Sequence, residues 1–361
     1  MRSDLLFRTQ ACSQQSQNFL LGAIDGQPGV VSALVRGTLR TLSGAYWGYV
    51  KVSQARFRFH LKQTVSLPAE VVSVGNLSLG GTGKTLTVLR LAREYAMRGL
   101  RVAVLCIGYG RASAHATAVV SSPDALHLTV EQAGDEPYLL ATALPGIPVL
   151  VGKDRRATGR HALEAFGSQV LLLDDGFQYL PLRRDREIVL VDALQPPHRD
   201  SLFPRGLLRE PWSHLSRAHE VWITHAGLAD PERVGSLSRL IAHYAPRALL
   251  RFTEHRPVAL RTSQGEAPLS LLAGRRVLAL SSLGNPAQFE LMLAALGAQV
   301  TPCRYPDHHR YTADDIRAIA GHAHDTLVVT TPKDALRLPA DLPFPLHIVD
   351  VELADIPAPE R

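Results

Sequence analysis

Val71-Val72-Ser73-Val74-Gly75-Asn76-Leu77-Ser78-Leu79-Gly80-Gly81-Thr82-Gly83-Lys84-Thr85 is the stretch on which the reading of this chain turns. Its first four residues have the β-branched, apolar character of a buried strand, and Gly75-Asn76-Leu77 leads into a glycine-rich turn. Helical periodicity follows from Lys84 to Arg98. A strand, a glycine turn and a helix in that order form a concave anion site, because backbone N–H groups and the helix N-terminus converge there. Gly80, Gly81 and Gly83 let the backbone approach phosphates closely. Lys84 is placed to reach the β and γ phosphates of ATP, and Thr85 to hold Mg2+. The usual loop has Gly five positions before its last Gly, and Ser78 stands there instead.

A P-loop enzyme needs an acid at the end of a neighbouring strand to hold the metal or its water. Val170-Leu171-Leu172-Leu173 followed by Asp174-Asp175-Gly176 supplies two. Paired carboxylates at a strand end repel unless a cation lies between them, so Asp174 and Asp175 join Thr85 as candidate metal ligands.

The same alternation continues on both sides. Strands are expected at Glu70–Val74, Arg101–Ile107, Ile147–Val151, Val170–Leu173, Glu187–Val191 and Glu220–Thr224, with helices at Lys84–Arg98 and Ala157–Phe166. A second α/β unit is expected from Arg251, with strands at Pro257–Arg261, Val277–Ser281, Gln299–Cys303, Thr326–Thr330 and Leu346–Val351. The expected fold is therefore α/β: a P-loop NTPase-like parallel sheet domain (68–250), a second, smaller α/β domain (251–361) closing over the active site, and an N-terminal amphipathic helix. The Pro/Arg-rich stretch from Gln195 to Pro211 reads as a long functional loop.

Bulk properties agree. The 361 residues are 46% hydrophobic and 20% charged, enough apolar content for two cores and too much for a disordered chain. Net charge is +6, favouring anionic partners. Cys12, Cys106 and Cys303 share no metal-like spacing and imply no disulfide framework. Only Lys51, Lys62, Lys84, Lys153 and Lys333 break an otherwise all-Arg basic set, so each lysine draws attention. No signal peptide and no membrane-spanning run is expected. Residues 28–67 are read as a basic amphipathic helix. Val31, Leu34, Val35, Leu39, Leu42, Tyr46 and Val50 recur at helical spacing with Arg36, Arg40, Lys51, Arg56, Arg58 and Lys62, and no acid falls between Gly26 and Ala69. Such a helix suits an anionic bilayer surface, or else it packs on the catalytic domain. Residues 1–27 form an extension of unassigned role.

Taken in order, the motifs resemble the tetraacyldisaccharide 4'-kinase (lipid A 4'-kinase) family. The matching pieces begin with Val74-Gly75-Asn76-Leu77 and Gly80-Gly81-Thr82-Gly83-Lys84-Thr85, then Gly108-Tyr109-Gly110-Arg111 and Gly134-Asp135-Glu136-Pro137. Asp174-Asp175-Gly176-Phe177-Gln178, Pro204-Arg205-Gly206 and Leu208-Arg209-Glu210-Pro211 follow. Gly284-Asn285-Pro286, Pro306-Asp307-His308-His309 and Thr330-Thr331-Pro332-Lys333-Asp334 complete the series. The family's loop also has a small hydroxyl residue where Ser78 stands. The resemblance implies transfer of the γ-phosphoryl of ATP to the 4'-hydroxyl of a tetraacylated glucosamine disaccharide 1-phosphate, giving lipid IVA at the cytoplasmic face of the inner membrane. The enzyme would be peripheral or monotopic there, with no nucleic acid and no obligate protein partner.

By that resemblance Asp135 is the catalytic carboxylate and His308, or else His309, its histidine partner. Ser78, Leu79, Gly80, Gly81, Thr82, Gly83, Lys84 and Thr85 bind ATP. Arg155, Gln178 and Tyr179 serve substrate or phosphate, and Glu210 joins Thr85, Asp174 and Asp175 near Mg2+. The chain departs from the family pattern at Tyr179, where His is common, and at Pro332, where an acid often precedes the lysine. The alternative is a membrane-associated P-loop switch or partitioning ATPase, though such loops often carry an early signature lysine where this one has Ser78-Leu79. Lys333-Asp334-Ala335 lacks the spacing of a guanine-reading motif. The basic charge is spread along the chain without interleaved aromatics, which argues against nucleic acid.

Overall fold

The computed structural model describes residues 30–59, 61, 63–108, 117–195 and 200–358. The extension 1–27, Lys62 and the Tyr109-Gly110-Arg111 part of one motif lie outside the described residues. Thirteen strands among those described form one mixed sheet. Its centre is parallel. β1 (Glu70–Asn76) lies between β5 (Val170–Asp174) and β6 (Arg186–Asp192), and β2 (Val102–Cys106), β4 (Val149–Gly152) and β7 (Glu220–Thr224) extend the sheet outward. These strands are buried nearly end to end, as apolar runs covered by helices on both faces should be. Leu171, Leu172 and Leu173 are fully buried, each contributing roughly 1.5–3 kcal/mol.

β3 (Thr117–Ser121) adds an antiparallel edge to β4 that the sequence pattern did not reveal. The sheet also runs on through the position where a second unit was expected. β8 (Leu249–Thr262) pairs parallel with β7 over Leu249–Phe252, then antiparallel with β13 (Leu346–Ile356) from Phe252 to Arg261. The expected strand Pro257–Arg261 is thus the far half of a longer one. The register shifts beside Pro257, which has no N–H to give the ladder. Beyond β13 lie β12 (Leu327–Thr330), β10 (Arg276–Ser281) and β11 (Gln299–Arg304), all parallel, with their own core around Leu272, Val277, Leu293 and Val349.

Helix α1 (Val30–Arg58) lies against the 202–214 segment. Ser43 Oγ donates to the Leu202 carbonyl at 2.9 Å, Tyr46 Oη to the Arg209 carbonyl at 3.0 Å, and Gln54 Nε2 to Glu210 Oε2 at 2.9 Å. Its other side exposes Leu42, Tyr49 and Val52, with Trp47 beneath the Lys51 ammonium. No helix among the described residues is long and apolar enough to cross a membrane.

Two motifs meet because β1 and β5 are neighbours. A Cβ on Gly75 would lie 2.5 Å from Phe177 Cβ and 2.7 Å from the Phe177 nitrogen, so the turn after β5 fits only against a glycine. Gly75→Ala should destabilise the protein by about 1–3 kcal/mol, read as a lower thermal midpoint; an unchanged midpoint would show that the turn can back away.

Candidate active site

The strand ends of both halves open into one cleft of about 1040 Å³, large enough for a nucleotide and part of a second substrate. The whole loop from Ser78 to Thr85 lines it. The first part of that loop is tied down, since Leu79 N–H donates to the Leu207 carbonyl at 2.7 Å and Ser78 bridges to Leu208. The buried position of Ser78 at this seam gives a small residue a local reason. Gly83 has φ 87°, and a Cβ there would come within 2.6 Å of His255 Nε2. The His255 ring is packed against the loop and anchored through His225 to Asp192, with 2.9 Å at each link. Burial and the neighbouring His225 hold His255 neutral.

Lys84, the first residue of α2 (Lys84–Met97), places its Nζ 3.3 Å from Asn76 Oδ1 and 3.8 Å from Asp175 Oδ1. The two acids behave differently. Asp175 has left-handed backbone (φ 54°) and receives both arms of Arg209, at 2.9 and 2.7 Å. Burial acts to raise its pKa, but the Arg209 bonds and the Lys84 charge prevail and lower it to about 2. Asp174 is buried, and its Oδ1 has no hydrogen-bond partner among the described residues. Burial, then the charges of Glu136 and Asp175, push its pKa up to about 7 against the pull of Lys84 and Arg155. An orphaned carboxylate in the same cleft as Thr85 is a position that a divalent cation would relieve.

On the opposite wall, Asp135 opens α4 (Asp135–Ala143), and its Oδ2 lies 2.8 Å from His308 Nδ1. His309 turns the other way, 2.9 Å from Asp315 Oδ2 and stacked on Tyr305. Of the two candidate partners for Asp135, only His308 is in reach. Arg337 Nη2 also donates to Asp135 Oδ2. Burial acts to raise Asp135, but the hydrogen bonds from His308 and Arg337 and the Arg337 charge hold its carboxyl well below the usual carboxylate range.

Four expected site residues do not line this cleft. Tyr179 donates to Asp154 Oδ1 at 2.8 Å, on the far face of the sheet, where Asp154 caps α5 (Arg155–Phe166). Arg155 sits behind the acidic pair, donating to the Asp174 carbonyl at 3.2 Å with Tyr179 over its guanidinium. Gln178 Nε2 donates to the Asn76 carbonyl at 3.0 Å. Glu210 faces α1, held by Gln54 and by His214 and Arg217 at 2.7 Å each. The two neighbours lie in a bend that sends Arg209 into the cleft and Glu210 toward α1. The sequence reading chose the acid of that pair and missed the arginine. It also missed Arg337, whose signal was its place three residues after Asp334 in a lysine-bearing motif.

A parallel α/β sheet with a phosphate loop, an acidic strand end and an opposing carboxylate–imidazole pair defines a P-loop kinase. Comparison with known proteins gives the particular kind. The chain belongs to the tetraacyldisaccharide 4'-kinase family, whose model, described as Tetraacyldisaccharide-1-P 4'-kinase, matches residues 35–357. A relative from Anaeromyxobacter sp. (strain K), named "Tetraacyldisaccharide 4'-kinase", is 43% identical over 322 residues, covering 88% of this chain and 85% of its own. One of the same name from Halothermothrix orenii is 32% identical over 342 residues, covering 90% and 89%. A crystal structure from Aquifex aeolicus, described as the "apo" form of LpxK in complex with ATP, is 30% identical with a TM-score of 0.69, covering 89% of this chain and 95% of that one. The activity is therefore that of a lipid A-pathway kinase, a transferase acting on the tetraacyldisaccharide 4'-position, and the switch-ATPase alternative is not favoured.

Asp174 links the site to stability. Its unfolded carboxyl ionises near 3.8 and its folded one near 7, so between those values the native state keeps a proton that the unfolded state has lost. Stability of the metal-free protein therefore falls as pH rises through that window. Asp174→Asn should raise the unfolding midpoint at pH 8 in a chelator, with the gain vanishing toward pH 4, while phosphorylation is lost. Equal midpoints for the two proteins at pH 8 would contradict this origin of the strain.

Proposed function

We propose that this chain carries out the family reaction with ATP held by Ser78 to Thr85 and the acceptor hydroxyl held at Asp135 and His308. The observation that carries this is the 2.8 Å pairing of Asp135 with His308 in the same cleft as the phosphate loop. Loop N–H groups and Lys84 bind the triphosphate and draw charge from the γ-phosphoryl group as it transfers. The dyad orients the sugar hydroxyl and receives its proton as oxygen attacks phosphorus. Contributing the histidine from beyond β8 lets closure of the second unit over the first complete the site and exclude water.

Mg2+ fits the residues present. Asp174 Oδ1 lacks a partner among the described residues and Thr85 lines the same cleft, whereas Asp175 is already matched by Arg209. No cluster of three or more His, Cys, Asp or Glu among the described residues could hold a metal ion, which suits a cation that keeps few protein ligands and relies on phosphate oxygens. When bound, Mg2+ neutralises developing phosphate charge. Glu210 serves instead to join the 202–214 segment to α1, and Arg155, Gln178 and Tyr179 support the acidic turn from behind.

The lipid acceptor requires approach to a membrane. The exposed Leu42, Tyr49 and Val52 of α1, accompanied by exposed Arg40, Lys51 and Arg56, support docking on the anionic cytoplasmic face of the inner membrane. Replacing Leu42, Tyr49 and Val52 together by Ser should reduce recovery on anionic lipid vesicles by several-fold; unchanged sedimentation would count against docking by α1. Asp135→Ala should lower ATP-dependent phosphorylation of the disaccharide 1-phosphate by about 100-fold or more and leave ATP affinity within a few-fold. Near-normal turnover in that variant would sink the dyad, and substantial ATP hydrolysis without acceptor would revive the switch reading.

A further inference from the structure

Among the described residues three non-glycine residues have left-handed backbone, Asp175, His225 and His308, and all three line the cleft. His308 has φ 60° and is the third residue of a tight turn, closed by His309 N–H donating to the Pro306 carbonyl at 3.0 Å. A turn that is left-handed at its third residue favours glycine, because a Cβ there is crowded by the backbone. A histidine in that place holds an unfavourable conformation, which contacts around the turn have to maintain. The turn itself supplies one of them, His308 N–H to Asp307 Oδ1 at 3.0 Å.

His309 supplies the others. Its ring stacks on Tyr305, the residue just before the turn, with ring centres 4.7 Å apart and planes at 25°. Tyr311 meets the same ring edge-on at 5.3 Å and packs on Tyr305 at 5.1 Å. Tyr305 and His309 flank the turn, so their stacking closes it as a staple would. Both ends are anchored to the second unit. Tyr305 N–H donates at 2.8 Å to the carbonyl of Ser281, the last residue of β10. His309 Nε2 lies 2.9 Å from Asp315 Oδ2, and an ionised carboxylate only accepts, so the imidazole donates. Asp315 is buried in the first turn of the helix Ala313–His322, where the same oxygen accepts from Thr312 N–H and Thr312 Oγ1 at 2.8 Å each. From this braced turn the His308 side chain extends to Asp135.

We propose that His309 is a positioning residue: stacked on Tyr305 and anchored to Asp315, its ring holds the 306–309 turn in the left-handed form that carries His308 to Asp135. This rests on the assignment of Asp135 and His308 as the acceptor site. The two neighbouring histidines then have separate tasks, one facing the acceptor and one bracing the backbone behind it. Released from the staple, the turn relaxes toward ordinary backbone at His308, which redirects that side chain away from Asp135. A displacement of about 1 Å is costly for a group that must orient a reacting hydroxyl. The phosphate loop belongs to the other half of the sheet, so the loss falls on turnover and spares nucleotide affinity.

The test begins without substrates. In the full-length protein, His308→Gly should melt at a higher temperature than His308→Ala, the reverse of the usual order, since glycine adopts φ 60° at no steric cost. The gap should narrow in the His309→Ala background, where the turn is released. An alanine variant melting at or above the glycine one, or a gap of the same size without the His309 ring, overturns the proposal. In the phosphorylation assay, His309→Ala should lower kcat roughly 10- to 100-fold with the KM for ATP within about threefold. His309→Phe keeps the stack and should recover part of the loss. A folded His309→Ala with unchanged kcat also overturns the proposal. Should His309→Ala fail to fold, Tyr305→Leu removes the other ring of the staple and keeps apolar bulk. A lower kcat at unchanged KM there supports the assignment, and an unchanged kcat overturns it. The expected melting order and narrowing in a protein whose wild type phosphorylates no disaccharide support the staple and overturn the acceptor reading instead.

Discussion

Asp174 and Asp175 stand side by side at the buried end of β5, and the rest of the cleft is arranged around offsetting their repulsion. Arg209 and Lys84 match Asp175, and Arg155 approaches from behind. Asp174 keeps an oxygen with no partner among the described residues. Such a pair would be a defect in an ordinary core. Here it lies in the same cleft as the phosphate loop, where the cation proposed above would relieve it. The glycine at position 75 is part of the same constraint, because the acidic turn reaches the loop only where β1 has no side chain.

The second dependence is long-range. β8 belongs to the ladders of both halves and so joins the strands beyond it to the first seven. His308 and Arg337 are 173 and 202 residues from Asp135 in sequence, yet both converge on one of its carboxylate oxygens. A continuous sheet holds that convergence to hydrogen-bond precision. The outer side of α1 remains apolar and basic while its inner side is bound to the 202–214 segment, so the proposed membrane-docking face and the arginine that grips Asp175 are linked through a single loop.

Much of this was legible beforehand, for identifiable reasons. Strand and helix alternation was readable because parallel strands buried on both faces are nearly continuous apolar runs, as at Val170–Leu173. The phosphate loop was readable because its chemistry is local: backbone N–H groups, three glycines, a lysine and a threonine, all contiguous. Asp135 and His308 became candidates only through a family resemblance, since a lone acid and one of 15 histidines carry no local signature. β3 was missed because a short edge strand has a weak pattern, and Arg209 because its acidic neighbour looked more like a metal ligand.

By itself, the sequence determined the α/β alternation, the nucleotide loop, the acidic strand end and, through its ordered motifs, the kinase family. Those features depend on neighbours within a few residues or on the order of blocks along the chain. Tertiary structure alone decided which side chains share the cleft. It turned Glu210 and Tyr179 away, brought Arg209 in, set the buried Arg337 against Asp135, chose His308 over His309, and left one oxygen of Asp174 without a partner among the described residues. The physical reason is that side-chain direction and burial are set by contacts between segments far apart in sequence, and the charge state of a carboxylate follows from those contacts. The phosphate loop names the donor; the folded sheet determines what faces it.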